Sequence, residues 1–397
     1  MSVFVGIVGL GLLVLIHEAG HFFTARAVGM SPRKFYVGFP PALVKTQRRG
    51  IEYGIGAIPL GGYVKIPGMH RPAASDVEFR LHRTVAAAPE LAGPVDRVKR
   101  ALAREDHAEA RSALDELEQD LRAARQPTEP LTDVRDALAP DAYWRQPAWK
   151  RVLVIFAGPG TNLLFAVVLF TILFMLGGGR ATTTVAQVLP DSPAAHAGLR
   201  AGDRIVRIDA RPVTPKQIPR RIADSKGRPL VLVVERRDAP VTLGPVAAEK
   251  TGDAFRLGFV LKGESLALPA AAKESVRATG LVSWEIARSL GRLVHRSGRN
   301  EISSPVGIVQ GSSAAVKEGV QSYLWVLGLI SLSLALLNLL PLLPLDGGHI
   351  FFSLLEAVRG KAVGREVYER VSAIGIALVL MLFFIGLSND IGRIGGG

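Results

Sequence analysis

The chain has no cysteine, and this excludes more than disulfides. Without thiolates, a bound transition metal must be held by histidine, aspartate or glutamate. Aromatic residues make up only 7% of the 397 residues. They do not interleave with basic residues as RNA binding would require. There is no P-loop and no zinc-finger spacing. Nucleic acid is therefore not the partner expected from the net charge of +13. Basic residues beside apolar spans set topology and meet anionic lipid instead.

Apolar side chains are what the chain has in quantity, at 48%. Four apolar stretches stand out: Val3 to about Ala27, Val152 to Leu176, about Tyr323 to Leu345, and about Val371 to Leu387. Each approaches the roughly 20 residues that cross a hydrocarbon core. No basic segment precedes the first and no small-residue cleavage site follows it, so it does not read as a signal peptide. Arg26, Arg33 and Lys34 follow the first stretch, and Lys150 and Arg151 precede the second. Arg359, Lys361, Arg365 and Arg370 lie between the third and fourth. The excess of short-loop cations puts these places in the cytoplasm. The N-terminus, the segment between the second and third spans, and the tail then lie outside. Arg180 is a mild exception.

Two of the spans carry groups that lipid does not tolerate. The first contains His17-Glu18-Ala19-Gly20-His21, and the third closes on Asn338-Leu339-Leu340-Pro341-Leu342-Leu343-Pro344-Leu345-Asp346-Gly347-Gly348. Ionisable groups at membrane depth are costly and mark function. Residues i and i+4 share a helix face, so His17 and His21 can grip one zinc ion. Asp346 is the third ligand expected, with a coordination position left open. Glu18 is placed to take a proton from water beside the metal. The prolines should break the third span and turn the Asp346 carboxylate inward. At a rise of about 1.5 Å per residue, His17 lies roughly 22 Å along an inward-running helix. Asp346 lies at the inner end of another, so charge and motif agree on depth.

Other polar residues read less sharply. Asn338 suits a hydrogen bond to a substrate backbone or oxyanion, or merely pairs with the broken helix. Asn162 reads as an interhelical hydrogen-bonder, with substrate contact as the alternative. His349 reads as structural.

The remaining segments alternate with the spans. Tyr53 to Val64 reads as strands with a turn, apolar enough to lie on the membrane. Pro94 to Arg125 has helical spacing and a charged outer face. Tyr143 to Lys150, with Trp144 and Trp149, suits an interface. From Val185 to about Leu261, a helix, glycine turn and strand follow one another around Ser192 to Asp209. This resembles a PDZ domain of the circularly permuted bacterial type, with Gly198, Leu199, Gly202 and Asp203 as groove candidates. Leu281 to His295 reads as an amphipathic interfacial helix.

Together these motifs resemble the site-2 protease family of intramembrane zinc metalloproteases, and within it the bacterial regulator-of-sigma-E branch. The resemblance rests on His-Glu-Ala-Gly-His, Gly54-Ile55-Gly56-Ala57-Ile58-Pro59-Leu60-Gly61-Gly62-Tyr63-Val64-Lys65, and Ala157-Gly158-Pro159-Gly160-Thr161-Asn162. It rests also on Ser304-Pro305-Val306-Gly307-Ile308-Val309 and the Asn338 to His349 run. It implies a polytopic α-helical membrane protein with four transmembrane helices, a membrane-associated β element and one extracytoplasmic PDZ domain. It implies one Zn2+ on His17, His21 and Asp346, and Glu18 as general base. The β element, with Gly61, Gly62 and Tyr63, would bind unwound substrate. The substrate would be a single-span membrane protein such as an anti-sigma factor, trimmed beforehand by an upstream site-1-type protease. Clearance of remnant signal peptides and an inactive PDZ scaffold are the alternatives. The site would face the cytoplasmic side of a bacterial plasma membrane.

The expected divisions follow. Residues 1–28 form the first membrane helix, 29–93 the cytoplasmic-side β region and 94–142 a helical insertion. Residues 143–179 form the interfacial segment and second helix, and 181–263 the PDZ domain. Residues 264–320 hold the interfacial helix and linker, 321–349 the third membrane helix with the Asp motif, and 350–397 the loop, fourth helix and tail. The insertion and the single PDZ domain depart from the family pattern expected, as does Gly38-Phe39-Pro40-Pro41.

Overall fold

The structure is a computed structural model that describes residues 1–251, 254–293 and 304–395. In chain order its elements begin with α1 (Ser2–Ala27), β1 (Lys34–Arg48), β2 (Ile51–Lys65), α2 (Ala74–Ala87), α3 (Ala92–Ala103), α4 (His107–Ala123), α5 (Thr132–Leu138) and α6 (Ala148–Met175). Then follow β3 (Arg180–Val188), α7 (Pro193–His196), β4 (Arg204–Ile208), β5 (Arg211–Pro212), α8 (Gln217–Asp224), β6 (Leu230–Arg236), β7 (Ala239–Val246), β8 (Glu249–Thr251), β9 (Ala254–Arg256) and β10 (Phe259–Glu264). The chain ends with α9 (Leu268–Leu293), α10 (Pro305–Glu318), α11 (Val320–Asn338), α12 (Asp346–Arg359) and α13 (Arg365–Gly395).

Four helices among the described residues are long and apolar enough to cross a membrane: α1, α6, α11 and Glu366–Gly392 of α13. Two differ in extent from the apolar runs. Helix α11 stops at Asn338 instead of reaching Leu345, because Pro341 and Pro344 cannot continue the ladder. Helix α13 outruns Val371 to Leu387 because polar turns at both ends remain helical. The chain forms two compact units, one of Met1–Ala166, Ser283–Glu318 and Leu329–Gly397, the other of Val167–Val282 and Gly319–Gly328.

In the first unit α1 crosses α6 at glycine. A methyl on Gly20 would strike the Ala157 carbonyl and Thr161 Oγ1. Thr161 Oγ1 instead lies within hydrogen-bond reach of the Ile16 carbonyl, at 3.1 Å, and of the Gly158 carbonyl, at 2.8 Å. Such close crossings through small residues are how helices associate in lipid. Helix α10 lies along α1, and its N-terminus is capped by Asp390 of α13. Asp390 Oδ2 accepts from Ser304 N at 2.7 Å, Ser304 Oγ at 2.6 Å and Gly307 N at 3.1 Å. A buried carboxylate at these donors satisfies amides that α10 cannot bond internally.

The β element is more than a hairpin. Lys34 to Val37 pair with Glu52 to Ile55 on one side and with Lys65 to Gly62 on the other. Ala42 to Arg48 form a further pairing with Gly56 to Ile51. Phe39, Leu43, Val44, Ile55 and Ile58 are exposed along it.

The helical module begins at Ala74 rather than Pro94, because α2 also supplies Val77 and Leu81 to its core. Helices α3 and α4 form a hairpin, with Asp106 capping α4 through Ala108 N and Glu109 N. Charged groups dock the module on the strand ends. Arg33 reaches Asp136 at 3.0 Å and Asp141 at 3.1 Å. Lys65 reaches Asp133 at 2.6 Å and Asp136 at 3.1 Å. Burial works against the Lys65 ammonium, but its bonds to Asp133 and Asp136 hold its pKa above the ordinary lysine range. The module's two ends meet: Tyr143 N donates to the Pro67 carbonyl at 2.8 Å and Trp144 N to the Gly68 carbonyl at 3.1 Å.

The second unit holds a sheet of order β10-β3-β4-β6-β7, with β5 paired to β4. Alternate residues Ile205, Leu232 and Val234 face a core closed by Ile218 and Ile222 of α8. Helix α9 starts at Leu268, well before the Leu281 expected of an interfacial helix, and leaves Leu281 and Trp284 exposed. Val294 and His295, expected to end that helix, lie outside the described residues.

Candidate metal centre

His17, His21 and Asp346 come together inside the first unit. His17 Nε2 lies 3.1 Å and His21 Nε2 3.4 Å from Asp346 Oδ2. The two imidazole Nε2 atoms are 3.2 Å apart. Both histidines are buried. The helical i, i+4 spacing supplies one edge of this triangle. The proline loop supplies the third corner, since Asp346 opens α12 directly after it.

Gly347 and Gly348 let that loop fold against its own helix. A methyl on Gly347 would meet the Leu339 and Leu340 carbonyls, and one on Gly348 would meet the Leu342–Leu343 peptide. The loop is braced from outside too, because Gly375 of α13 sits against the Leu343 carbonyl.

Helix α6 fixes the rings. His21 Nδ1 lies 2.8 Å from the Val154 carbonyl oxygen. A carbonyl only accepts, so His21 must donate from Nδ1, and the neutral ring then presents its Nε2 lone pair. Gly158 admits the rings, because a methyl there would collide with His21 Nε2 and crowd His17 Cε1.

The three atoms fit a cation. A tetrahedral zinc with ligand atoms about 2.0–2.2 Å away holds them about 3.3–3.6 Å apart. The observed edges of 3.1, 3.2 and 3.4 Å are close to that. Asp346 Oδ2 is buried and accepts no conventional hydrogen bond among the described residues. Converging lone pairs of this kind repel unless a cation is shared. With no cysteine in the chain, the donor set of two imidazoles and a carboxylate is one zinc accepts.

Glu18 lies between the histidines, half-buried and in electrostatic range of His17, His21 and Asp346. Strand β2 passes beside it. A methyl on Gly62 would come 3.2 Å from Glu18 Cγ. The Val64 amide is directed at the Glu18 carboxylate. Gly61 is covered by the Phe39 ring, and Tyr63 stacks on Tyr36 at 5.1 Å. The strand singled out in the sequence therefore runs along the candidate site.

The other candidates are placed as follows. Asn162 is fully buried and lies 3.4 Å from His17. Asn338 ends α11, half-buried, with no side-chain hydrogen bond among the described residues. His349 is half-buried, its ring 6.2 Å from that of His70. Leu199 and Asp203 face the interior of the second unit. Gly198 and Gly202 take positive φ in the turn that Arg236 ties down through Gly198 O and Asp203. The Val154 carbonyl was not foreseen, since a backbone acceptor has no side-chain signature. Gly158 was visible only as a small residue in an apolar run.

Peptidase family M50 matches residues 5–382. Zinc metalloprotease RasP of Geobacillus kaustophilus is 30% identical over 412 residues, covering 97% of this chain and 96% of the relative. Regulator of sigma-E protease RseP of Escherichia coli K12 is 29% identical over 448 residues, covering 98% of each. With four membrane-length helices, this is a multi-pass bacterial membrane protein. Because the match runs from the first helix into the last, the chain belongs to peptidase family M50 and is a metalloprotease of the site-2 type.

Proposed function

We propose that the protein hydrolyses peptide bonds of single-span membrane proteins within the bilayer, with His17, His21 and Asp346 holding one zinc ion. Zinc is the metal named for the relatives RasP of Geobacillus kaustophilus and others of this family. The observation that carries the reading is the convergence of three ligand atoms between membrane-length helices. When bound, zinc supplies Lewis acidity to a peptide carbonyl and makes water acidic near neutral pH.

The chain's own residues do the rest. Glu18 accepts the proton of the attacking water and returns it to the leaving amine. Strand β2 holds substrate as an extended chain beside Glu18, along the segment of Gly61, Gly62 and Tyr63. Asn338 hydrogen-bonds the substrate backbone. The charge distribution favours a cytoplasmic-side site, with the N-terminus and residues 181–263 outside. Those residues are a PDZ-like domain whose terminal strand β10 offers an open edge, and it excludes substrates that still carry a large outer domain. A trimmed anti-sigma factor, cut first by a site-1-type protease, fits these features; the Escherichia coli relative is named a regulator of sigma-E protease.

Co-reconstitution of wild type and Glu18→Gln with tagged single-span membrane proteins tests this. Cleavage by wild type inside the span, with uncut substrate retained on zinc-loaded Glu18→Gln, is the expected result. Equal cleavage by both would overturn it.

A further inference from the structure

We propose that Asn162 is a positioning residue for His17: its side-chain oxygen accepts the His17 Nδ1 proton, so that Nε2 is presented to the metal. This rests on the zinc reading above.

Three residues of α6 stand one turn apart on one face, at i, i+4 and i+8. Val154 offers its carbonyl to His21, Gly158 gives both rings room, and Asn162 meets His17. For His21 the tautomer is already fixed by a group that can only accept. His17 needs the same restraint, since a histidine bound to metal through Nε2 carries its proton on Nδ1.

Asn162 is built for this role. It is 0% exposed, and its backbone carbonyl accepts from Ser331 Oγ at 2.8 Å, which pins this turn of α6 to α11. Its Nδ2 faces His17 Nδ1 at 3.4 Å, long for a hydrogen bond. Among the described residues its Oδ1 is buried without a partner. An unpaired buried amide oxygen is costly, and two donors facing each other do not bond. Amide nitrogen and oxygen differ little in outline, so the hydrogen-bond network decides which is which. Turning the amide over removes both faults in one step. The orphan oxygen gains a donor, and His17 gains an acceptor. One helix face then locks both imidazoles with their Nε2 lone pairs towards Asp346.

The test uses purified full-length protein, chelator competition for zinc, and 15N spectra of the histidine rings. Wild type, Asn162→Asp, Asn162→Leu and His17→Ala are compared. Asn162→Leu is expected to bind zinc roughly 10- to 100-fold more weakly, while Asn162→Asp, which keeps an acceptor, stays within roughly threefold of wild type. In wild type, the His17 Nδ1 resonance is expected to be protonated and hydrogen-bonded. Undiminished affinity in Asn162→Leu overturns the proposal while leaving the zinc site intact. If Asn162→Leu does not fold, an unprotonated His17 Nδ1 in zinc-loaded wild type overturns it equally. Absence of zinc binding by wild type, or binding unaffected by His17→Ala, overturns the metal reading itself.

Discussion

Gly158 of α6 lies so close to His21 of α1 that no side chain fits between them. The ring nitrogen facing this glycine is the one that also faces Asp346. Gly158→Ala should therefore push the ring away from its partners. Overpacking of this kind costs about 1–3 kcal/mol, and zinc affinity should fall with it. Gly11 has open space around its Cα, so Gly11→Ala should be neutral or stabilising by up to about 1 kcal/mol. Thermal unfolding and zinc titration of both variants make the comparison.

Glu18→Gln separates chemistry from metal binding. The amide keeps the shape of the carboxylate but cannot take a proton. Turnover should drop about 10²- to 10⁴-fold, the usual contribution of a general base. Zinc stoichiometry should stay at the wild-type level in metal analysis of the same preparation.

Metal removal should act through His17, His21 and Asp346. Chelator-treated protein should lose cleavage and regain it on addition of zinc. His21→Ala and Asp346→Asn should not be rescued at zinc levels that restore wild type. Retained metal-dependent cleavage in Asp346→Asn would mean that the third corner lies elsewhere.

In the second unit, burial disfavours the Asp203 carboxylate, but Arg236 and the Arg200 amide outweigh it and hold its pKa below the ordinary value. A folded-state pKa that is depressed stabilises above the unfolded value, near about 3.9, and the gain is lost as pH falls through the folded value. Asp203→Ala should cost about 1–3 kcal/mol at neutral pH, because the Arg200 amide and the Arg236 guanidinium lose their acceptor. The gap between wild type and variant should close in acid. Thermal unfolding of full-length protein from neutral pH downwards reads it directly.

Asp136 bridges Arg33, just before β1, and Lys65, at the end of β2. Asp136→Ala should loosen the strand that passes Glu18, at a cost of about 1–3 kcal/mol. Hydrogen exchange should rise at the Lys34–Lys65 pairing before it rises in α1.

The convergence of His17, His21 and Asp346 is legible in the sequence because each of its two pieces is local. Four-residue spacing on a helix needs no tertiary information, and a carboxylate after two prolines in an apolar run has few other readings. What holds the site was less legible. The Val154 carbonyl could have belonged to any residue, and Gly20 and Gly158 matter only once α1 and α6 are known to cross. The sequence places β1 only within a broad β region, because Lys34 to Val37 pair with two different stretches of β2 and that double pairing has no period of its own. Helix α2 was missed because its apolar residues are few, and only α3 and α4 give them a core. At Gly198 to Asp203 the sequence does not separate a tight turn from a groove, since glycine and a polar residue mark either. In the structure Leu199 and Asp203 turn inward there.

The hydrogen bonds from Tyr143 to Pro67 and from Trp144 to Gly68 bring the two ends of the 74–142 module side by side. A segment whose entrance and exit coincide can be gained, lost or exchanged without disturbing the chain on either side. A short linker from Gly68 to Tyr143, with acids supplied for Arg33 and Lys65, should leave the helix crossing intact. The same doorway offers a place to graft a reporter domain while keeping the membrane portion whole.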